Sequence, residues 1–190
     1  TYTTGGTFTA TLTVTDDDGG VGTDTMIVTV NELPSLVVTT ASDFVSPFDG
    51  LTSLREALAY AAIHAGTDTI TFGNGSAIAG GSNFTDATAD TITLGGTQLT
   101  LDSDVTIDGP GANLLTISGN NASRVFFVTS GITAEIRDLT ISGGNANYGG
   151  GIYITNATLT ISASTFSGNT ANYAGGGVYN TNATLTISDS

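Results

Sequence analysis

The chain has 190 residues and a formal net charge of −14, from 17 Asp and Glu against 3 Arg and no Lys. That balance excludes the basic patches that nucleic acid and anionic membrane surfaces call for, and without Cys there is no disulfide framework. Only 11% of residues are charged, so Thr, Ser and Asn must supply the solubilising surface, and no apolar run approaches the roughly 18 residues of a membrane span.

Residues 1–31 read as two strands and a turn. Phe8, Ala10, Leu12 and Val14 alternate with Thr9, Thr11, Thr13 and Thr15, and Met26, Val28 and Val30 alternate again after Asp16-Asp17-Asp18-Gly19-Gly20. Asp16, Asp17 and Asp18 carry oxygens of the kind Ca²⁺ takes. A solvated Asp/Gly turn is the competing and favoured reading. Residues 32–35 are a linker, in which Pro34 disfavours helix at Leu33 and cannot donate to a strand ladder.

Residues 36–90 are expected to form the N-terminal cap and first coil of a β-helix. A strand at 36–40 leads through a polar loop at 43–49 to a helix at 53–65, where Leu54, Ala57, Leu58, Ala61 and Ala62 share one stripe. Ser53 and Glu56 have capping-box spacing. Arg55 and Glu56 read as exposed helix charges, and the only His, His64, as a cation near the helix C-terminus. A strand at 68–72 comes next, then a Gly, Ser, Asn and Asp-rich loop at 73–90 protruding from the coil.

Residues 91–190 are repetitive. Asn156-Ala157-Thr158-Leu159-Thr160-Ile161-Ser162 returns as Asn182-Ala183-Thr184-Leu185-Thr186-Ile187-Ser188, and Gly149-Gly150-Gly151-Ile152-Tyr153 returns as Gly175-Gly176-Gly177-Val178-Tyr179, both 26 residues on (156 to 182, 149 to 175). A fixed period of this size marks a solenoid or array. Leu159 and Ile161 alternate with hydroxyl residues, which is strand periodicity. Three short strands per period, at 150–154, 158–162 and 164–167, fit a parallel β-helix, since propeller blades need roughly 40 residues. Stacking sets Leu159 over Leu185, Ile161 over Ile187 and Ile152 over Val178 at the ~4.8 Å strand spacing. Coils are expected to be irregular before 139 and regular after it. Tyr153 and Tyr179 occupy equivalent positions and form a candidate aromatic platform for sugars or a receptor. Plain stacking of like residues is the favoured alternative.

Three stretches resemble known families. Phe166-Ser167-Gly168-Asn169, with Gly150-Gly151-Ile152 and Gly176-Gly177-Val178, is similar to the repeats of the polymorphic outer membrane protein group, which implies a right-handed β-helix on a bacterial surface. The string from Leu36 through Gly50-Leu51-Thr52-Ser53-Leu54-Arg55-Glu56-Ala57 to Phe72 resembles the CSLREA-type segment that precedes bacterial β-helix regions, with Thr52 in place of its Cys. Leu12-Thr13-Val14-Thr15-Asp16-Asp17-Asp18-Gly19-Gly20 resembles the end of a PKD-type, immunoglobulin-like β-sandwich. The expected fold is therefore all-β: a right-handed parallel β-helix with one N-terminal capping helix, preceded by a sandwich fragment, with sandwich and solenoid both truncated.

No catalytic residue is assigned. A lyase of the pectate type needs a basic proton abstractor, and only Arg55, Arg124 and Arg137 exist, the last two expected to point outward and to pair with Glu135 or Asp138. A glycoside hydrolase needs converging carboxylates, and Asp102, Asp104 and Asp108 sit at turns, where Asp is common for conformational reasons. There is no P-loop, dinucleotide fingerprint or zinc spacing. The expectation is a non-catalytic stalk, adhesin or matrix element of a large secreted or surface-anchored bacterial protein, extracellular or on the outer cell surface. Expected partners are surface glycans, host or matrix proteins, or further copies of itself, with Ca²⁺ the one cofactor considered. The alternative is a polysaccharide lyase or hydrolase whose active site lies in coils outside this chain.

Overall fold

Thr alternating with apolar residues favours extended backbone, because β-branched side chains fit a pleated strand better than a helix. In the structure, a computed structural model that describes residues 6–30, 33 and 35–190, this stretch is β1 (Gly6–Thr15). It pairs antiparallel with β2 (Val21–Val30), from Gly6 opposite Val30 to Thr15 opposite Val21. Of the linker expected at 32–35, Glu32 and Pro34 lie outside the described residues. The hairpin and Ser46–Gly50 make one compact unit, and the helix and coils make another.

The second unit runs β3 (Val37–Val38), α1 (Leu54–Ala61), β4 (Asp68–Phe72), β5 (Asp90–Thr93), β6 (Leu99–Leu101), β7 (Val105–Asp108), β8 (Leu115–Ser118), β9 (Phe126–Val128) and β10 (Thr133–Arg137). It continues with β11 (Thr140–Ser142), β12 (Asn145–Tyr148), β13 (Ile152–Thr155), β14 (Thr158–Ser162), β15 (Thr165–Ser167), β16 (Thr170–Ala174), β17 (Val178–Thr181) and β18 (Thr184–Ser188). All named strands in this unit pair in parallel with the coil above or below. They form the sheets β3-β4-β7-β10-β14-β18, β5-β8-β11-β15, β6-β9-β13-β17 and β12-β16. This is an all-β parallel β-helix, and the two four-stranded sheets give it about four turns. Leu159 stands opposite Leu185, Ile161 opposite Ile187 and Ile152 opposite Val178, as the repeats predict.

The coils are held by what they bury. Ile70, Ile107, Ile136 and Ile161 lie in register inside the solenoid with no exposed surface. Ile92, Ile117 and Ile141 form a second buried ladder, on which Phe166 packs partly buried as the top rung. Each such side chain contributes on the order of 1.5–3 kcal/mol, and only through its neighbours, because one coil leaves its inner face bare. At the coil corners the backbones approach closely. A Cβ on Gly150 would run into the carbonyls of Thr170 and Gly176, and one on Gly144 into the carbonyl of Gly150. Gly144 occupies the place of Asn169 one coil down, so no Asn ladder forms there. Instead the Asn169 amide donates to the Ile141 carbonyl (2.9 Å) and its Oδ1 accepts from the Gly144 N–H (2.8 Å).

Three features depart from the expectations. Each regular coil has a fourth strand, β12 or β16. Its residues Asn145–Tyr148 are mostly exposed, so no apolar alternation announces it. Coil spacing, by contrast, is as expected: uneven before 139, at 37 residues from Asp68 to Val105 and 29 from Val105 to Ala134 (68 to 105, 105 to 134), and even after it, at 26 from Ile152 to Val178 and from Leu159 to Leu185 (152 to 178, 159 to 185). The loop at 73–90 does not simply protrude, because Phe84 is buried with its ring edge-on to Phe72 at 5.4 Å. The strand expected at 36–40 shortens to β3.

Helix α1 begins where its sequence says. The Ser53 hydroxyl accepts from the Glu56 N–H while the Glu56 carboxylate accepts from the Ser53 N–H (2.8 Å), a complete capping box. Leu54, Ala57, Leu58 and Ala61 are buried in the same core as the coils. Arg55 and Glu56 are thus not free helix charges. The Arg55 fork grips both oxygens of Asp43 (3.0 and 2.8 Å) and donates to the carbonyls of Thr97 and Gln98 (3.0 Å each). Asp43 in turn accepts the Gly95 N–H (2.9 Å). One bidentate pair therefore ties helix, polar loop and first coil together.

Candidate binding face

Side chains alternate in and out along a strand, so the residues between the buried rungs of β6-β9-β13-β17 face outward. In register these are Thr100, Phe127, Tyr153 and Tyr179. Phe127 and Tyr153 have ring centroids 5.5 Å apart, and Tyr153 and Tyr179 5.3 Å apart. Tyr148 and Tyr173, from the neighbouring sheet β12-β16, extend this stripe sideways. Tyr148 lies 4.9 Å from Tyr179 and 5.3 Å from Tyr173. Two of the five rings, Tyr148 and Tyr173, are strongly exposed, and all are inclined to one another rather than flat. Tyr153 and Tyr179, singled out by the repeat, are thus brought together. Phe127, Tyr148 and Tyr173 are additions that the repeat does not single out. The echo of Asn147-Tyr148 in Asn172-Tyr173, whose amides hydrogen-bond across coils (2.9 Å), is the sequence signal that could have found the two tyrosines.

Arg124 completes this face. Its Cζ lies 5.0 Å from the Tyr153 ring centre and 5.8 Å from that of Phe127, within cation–π range. Nε donates to the carbonyls of Gly149 (2.8 Å) and Tyr148 (3.3 Å), Nη2 to that of Tyr148 (2.8 Å), and Nη1 to Gln98 Oε1 (2.6 Å). The expected pairing with a surface carboxylate is not found: among the described residues no acid lies within ion-pair distance of Arg124. Its burial lowers the guanidinium pKa. Gln98 also lines a shallow groove of about 190 Å³ between α1 and β6, with Arg55, Leu58, Thr100 and Asp102. That is below the roughly 300 Å³ at which small-molecule pockets begin. The face is therefore an open surface that can lie against an extended ligand.

The other candidate residues are held apart. Asp16 Oδ1 accepts the N–H of Asp18 (3.1 Å) and Gly20 (2.6 Å), so that oxygen serves the β1–β2 turn. Asp17 and Asp18 are exposed beside it. Among the described residues no group of three or more His, Cys, Asp or Glu is placed to hold a metal. Asp104 accepts from the Thr133 N–H (2.7 Å), Asp108 is held by the Arg137 fork (2.8 and 3.0 Å), and Asp102 stands exposed at the groove. Arg137 also reaches Glu135 at 3.3 Å. His64 does not act as a helix cap. Its Nδ1 meets Oδ1 of Asp68 at 2.9 Å, and Asp68 is buried, at the first position of β4 opposite Val105, with Oδ2 unpartnered. Among the described residues the imidazole makes no hydrogen bond to a hydroxyl, so this pair lacks the nucleophile a hydrolytic triad needs.

No known family model, no curated protein and no solved structure matches this chain. What the structure defines is a short β-solenoid with a capping helix and an aromatic outer face.

Proposed function

We propose that the chain is a non-catalytic structural or adhesive segment of a larger secreted or cell-surface protein, and that the face of β6-β9-β13-β17 binds saccharides. The carrying observation is the stripe of five aromatic rings repeated over successive coils on an outer surface. Tyrosine rings offer an apolar face to the C–H side of a sugar ring and a hydroxyl to its rim. Coils repeat at about 4.8 Å, on the scale of one sugar unit, so an extended chain can lie along the axis. The scattered carboxylates support the non-catalytic reading, since hydrolysis needs an acid and a base in tuned environments. The likeness to repeats of bacterial surface β-helices supports the localisation.

Affinity electrophoresis against a panel of neutral and acidic polysaccharides tests this. At least one should retard the chain, and Tyr173→Ala/Tyr179→Ala should abolish the retardation without changing the melting temperature by more than a few degrees. No retardation by any of them overturns the saccharide reading. Release of reducing sugar or unsaturated product, lost on Asp104→Asn, overturns the non-catalytic one.

A further inference from the structure

The net charge of −14 is not spread evenly. Of the 17 acidic residues only Glu135, Asp138 and Asp189 lie after residue 108, against Arg124 and Arg137, so the later coils carry −1 of the total. Those three acids lie on or just after β10 and β18, strands of the six-stranded sheet and not of the aromatic face. Arg137 is neutralised by Asp108 and Glu135, and Arg55 by Asp43. Arg124 is the cation left without an anion among the described residues. It has five N–H donors. One N–H on each terminal nitrogen remains after its bonds to Gln98, Tyr148 and Gly149 are counted. The fork is held rigid by carbonyls of the next coil and by Tyr153, so little freedom is lost when it binds a ligand.

We infer that the aromatic face selects carboxylated saccharides of the uronate class, with the Arg124 fork receiving the carboxylate and Tyr153, Tyr179 and Tyr148 stacking on the sugar rings. This rests on the saccharide reading above and adds its charge. Asp102 is the nearest acid along the same sheet. It follows β6 at the end opposite Gln98, about 13 Å away along an extended strand, beyond the ~8 Å screening length at physiological salt. Asp102 therefore repels a polyanion only weakly at the Arg124 site.

Calorimetric titration of the intact chain with an oligogalacturonate and with its methyl ester is the test, because esterification keeps the ring faces and removes the charge. The free acid should bind about tenfold tighter at low salt, the gain of one charge-assisted bidentate contact, and the gap should close as salt rises. Arg124→Gln should bring the acid down to the affinity of the ester. Equal binding of acid and ester by the unmodified chain, weakened by Tyr173→Ala/Tyr179→Ala, overturns the charge selection and leaves the saccharide reading standing. No binding of either form overturns the inference outright, and the polysaccharide panel then decides the broader reading separately. These arms use the unmodified chain or the Tyr173 and Tyr179 substitutions, so they hold even if Arg124→Gln loosens the coil.

Discussion

Asp90 and Asp108 are the same residue type at strand ends two coil segments apart, and their environments push them in opposite directions. Burial, with the Asp86 charge added, raises the Asp90 pKa, while hydrogen bonding from Arg137 lowers that of Asp108. A carboxyl whose folded pKa is depressed contributes stability above its unfolded pKa, about 3.9, and loses it as pH falls through the lower folded value. A raised carboxyl does the reverse: its contribution is full below the unfolded pKa and is lost as pH rises through the folded one. Asp108→Asn should therefore be less stable than the parent at pH 7, with the gap closing below about pH 4. Asp90→Asn should show its gain at neutral pH and none in acid. Urea midpoints measured across pH check both, and parallel curves for Asp108→Asn and the parent would rule out the Arg137 pairing as the cause. Both side chains of that pair are about one third exposed, so the effect is a screened one. Arg137's partners were only partly legible, since Glu135 is two residues away and Asp108 lies one coil back. The partners of Arg55 and Arg124 were not legible. They bond chiefly to backbone carbonyls and to residues 12 to 43 positions distant, which carry no sequence signature.

Within the solenoid, elements were legible in proportion to how much each buries. Helix α1 announced itself through a 3.6-residue apolar stripe and a capping box; the box is complete and Leu54, Ala57, Leu58 and Ala61 are buried, but the helix ends at Ala61, short of 65, and Ala62 is exposed. The inner strands announced themselves through alternation that matches their burial, as in β14, where Leu159 and Ile161 are buried. Strands β12 and β16 failed that test because Asn, Ala and Tyr face solvent, and only parallel pairing to the next coil makes them strands. The helix covers core that the first coil cannot cover itself, and Leu58 is 6% exposed within it. Leu58→Asp replaces packed volume with an unpaired charge and should cost about 3–5 kcal/mol. Leu58→Met keeps the volume and should cost less than about 1.5 kcal/mol. Chemical denaturation separates the two variants. If Leu58→Asp unfolds at the parent's midpoint, α1 is not closing the core.

At the scale of the whole solenoid, stability is a sum over coils and the interfaces between them, so damage should stay local. Gly150 offers a clean test because its backbone sits between two coils. Its N–H donates to the Gly175 carbonyl at 3.1 Å, and its own carbonyl accepts from the Val125 N–H at 3.2 Å. A side chain there meets the carbonyls of Thr170, in β16, and Gly176, which accepts from the Gly151 N–H, so neither can turn away without loosening the contact between coils. Gly150→Val therefore has to push the coils apart at that corner. In an ordinary globular core such a shift would lower protection everywhere, because one cooperative unit opens together. In a stack of nearest neighbours, hydrogen exchange should accelerate at Gly150, Gly151 and Ile152, which bond to the coil above, and at Val125 and Phe126, which bond back to them. Amides of β4 and β7, nearer the helix, should keep their protection, because β10 stands between them and the damaged corner. Uniform acceleration across β4, β7 and β13 would instead mean that the four turns and the capping helix unfold as a single unit. The alternating ladders of Ile70, Ile107, Ile136 and Ile161 would then have to couple coils more strongly than nearest-neighbour stacking allows.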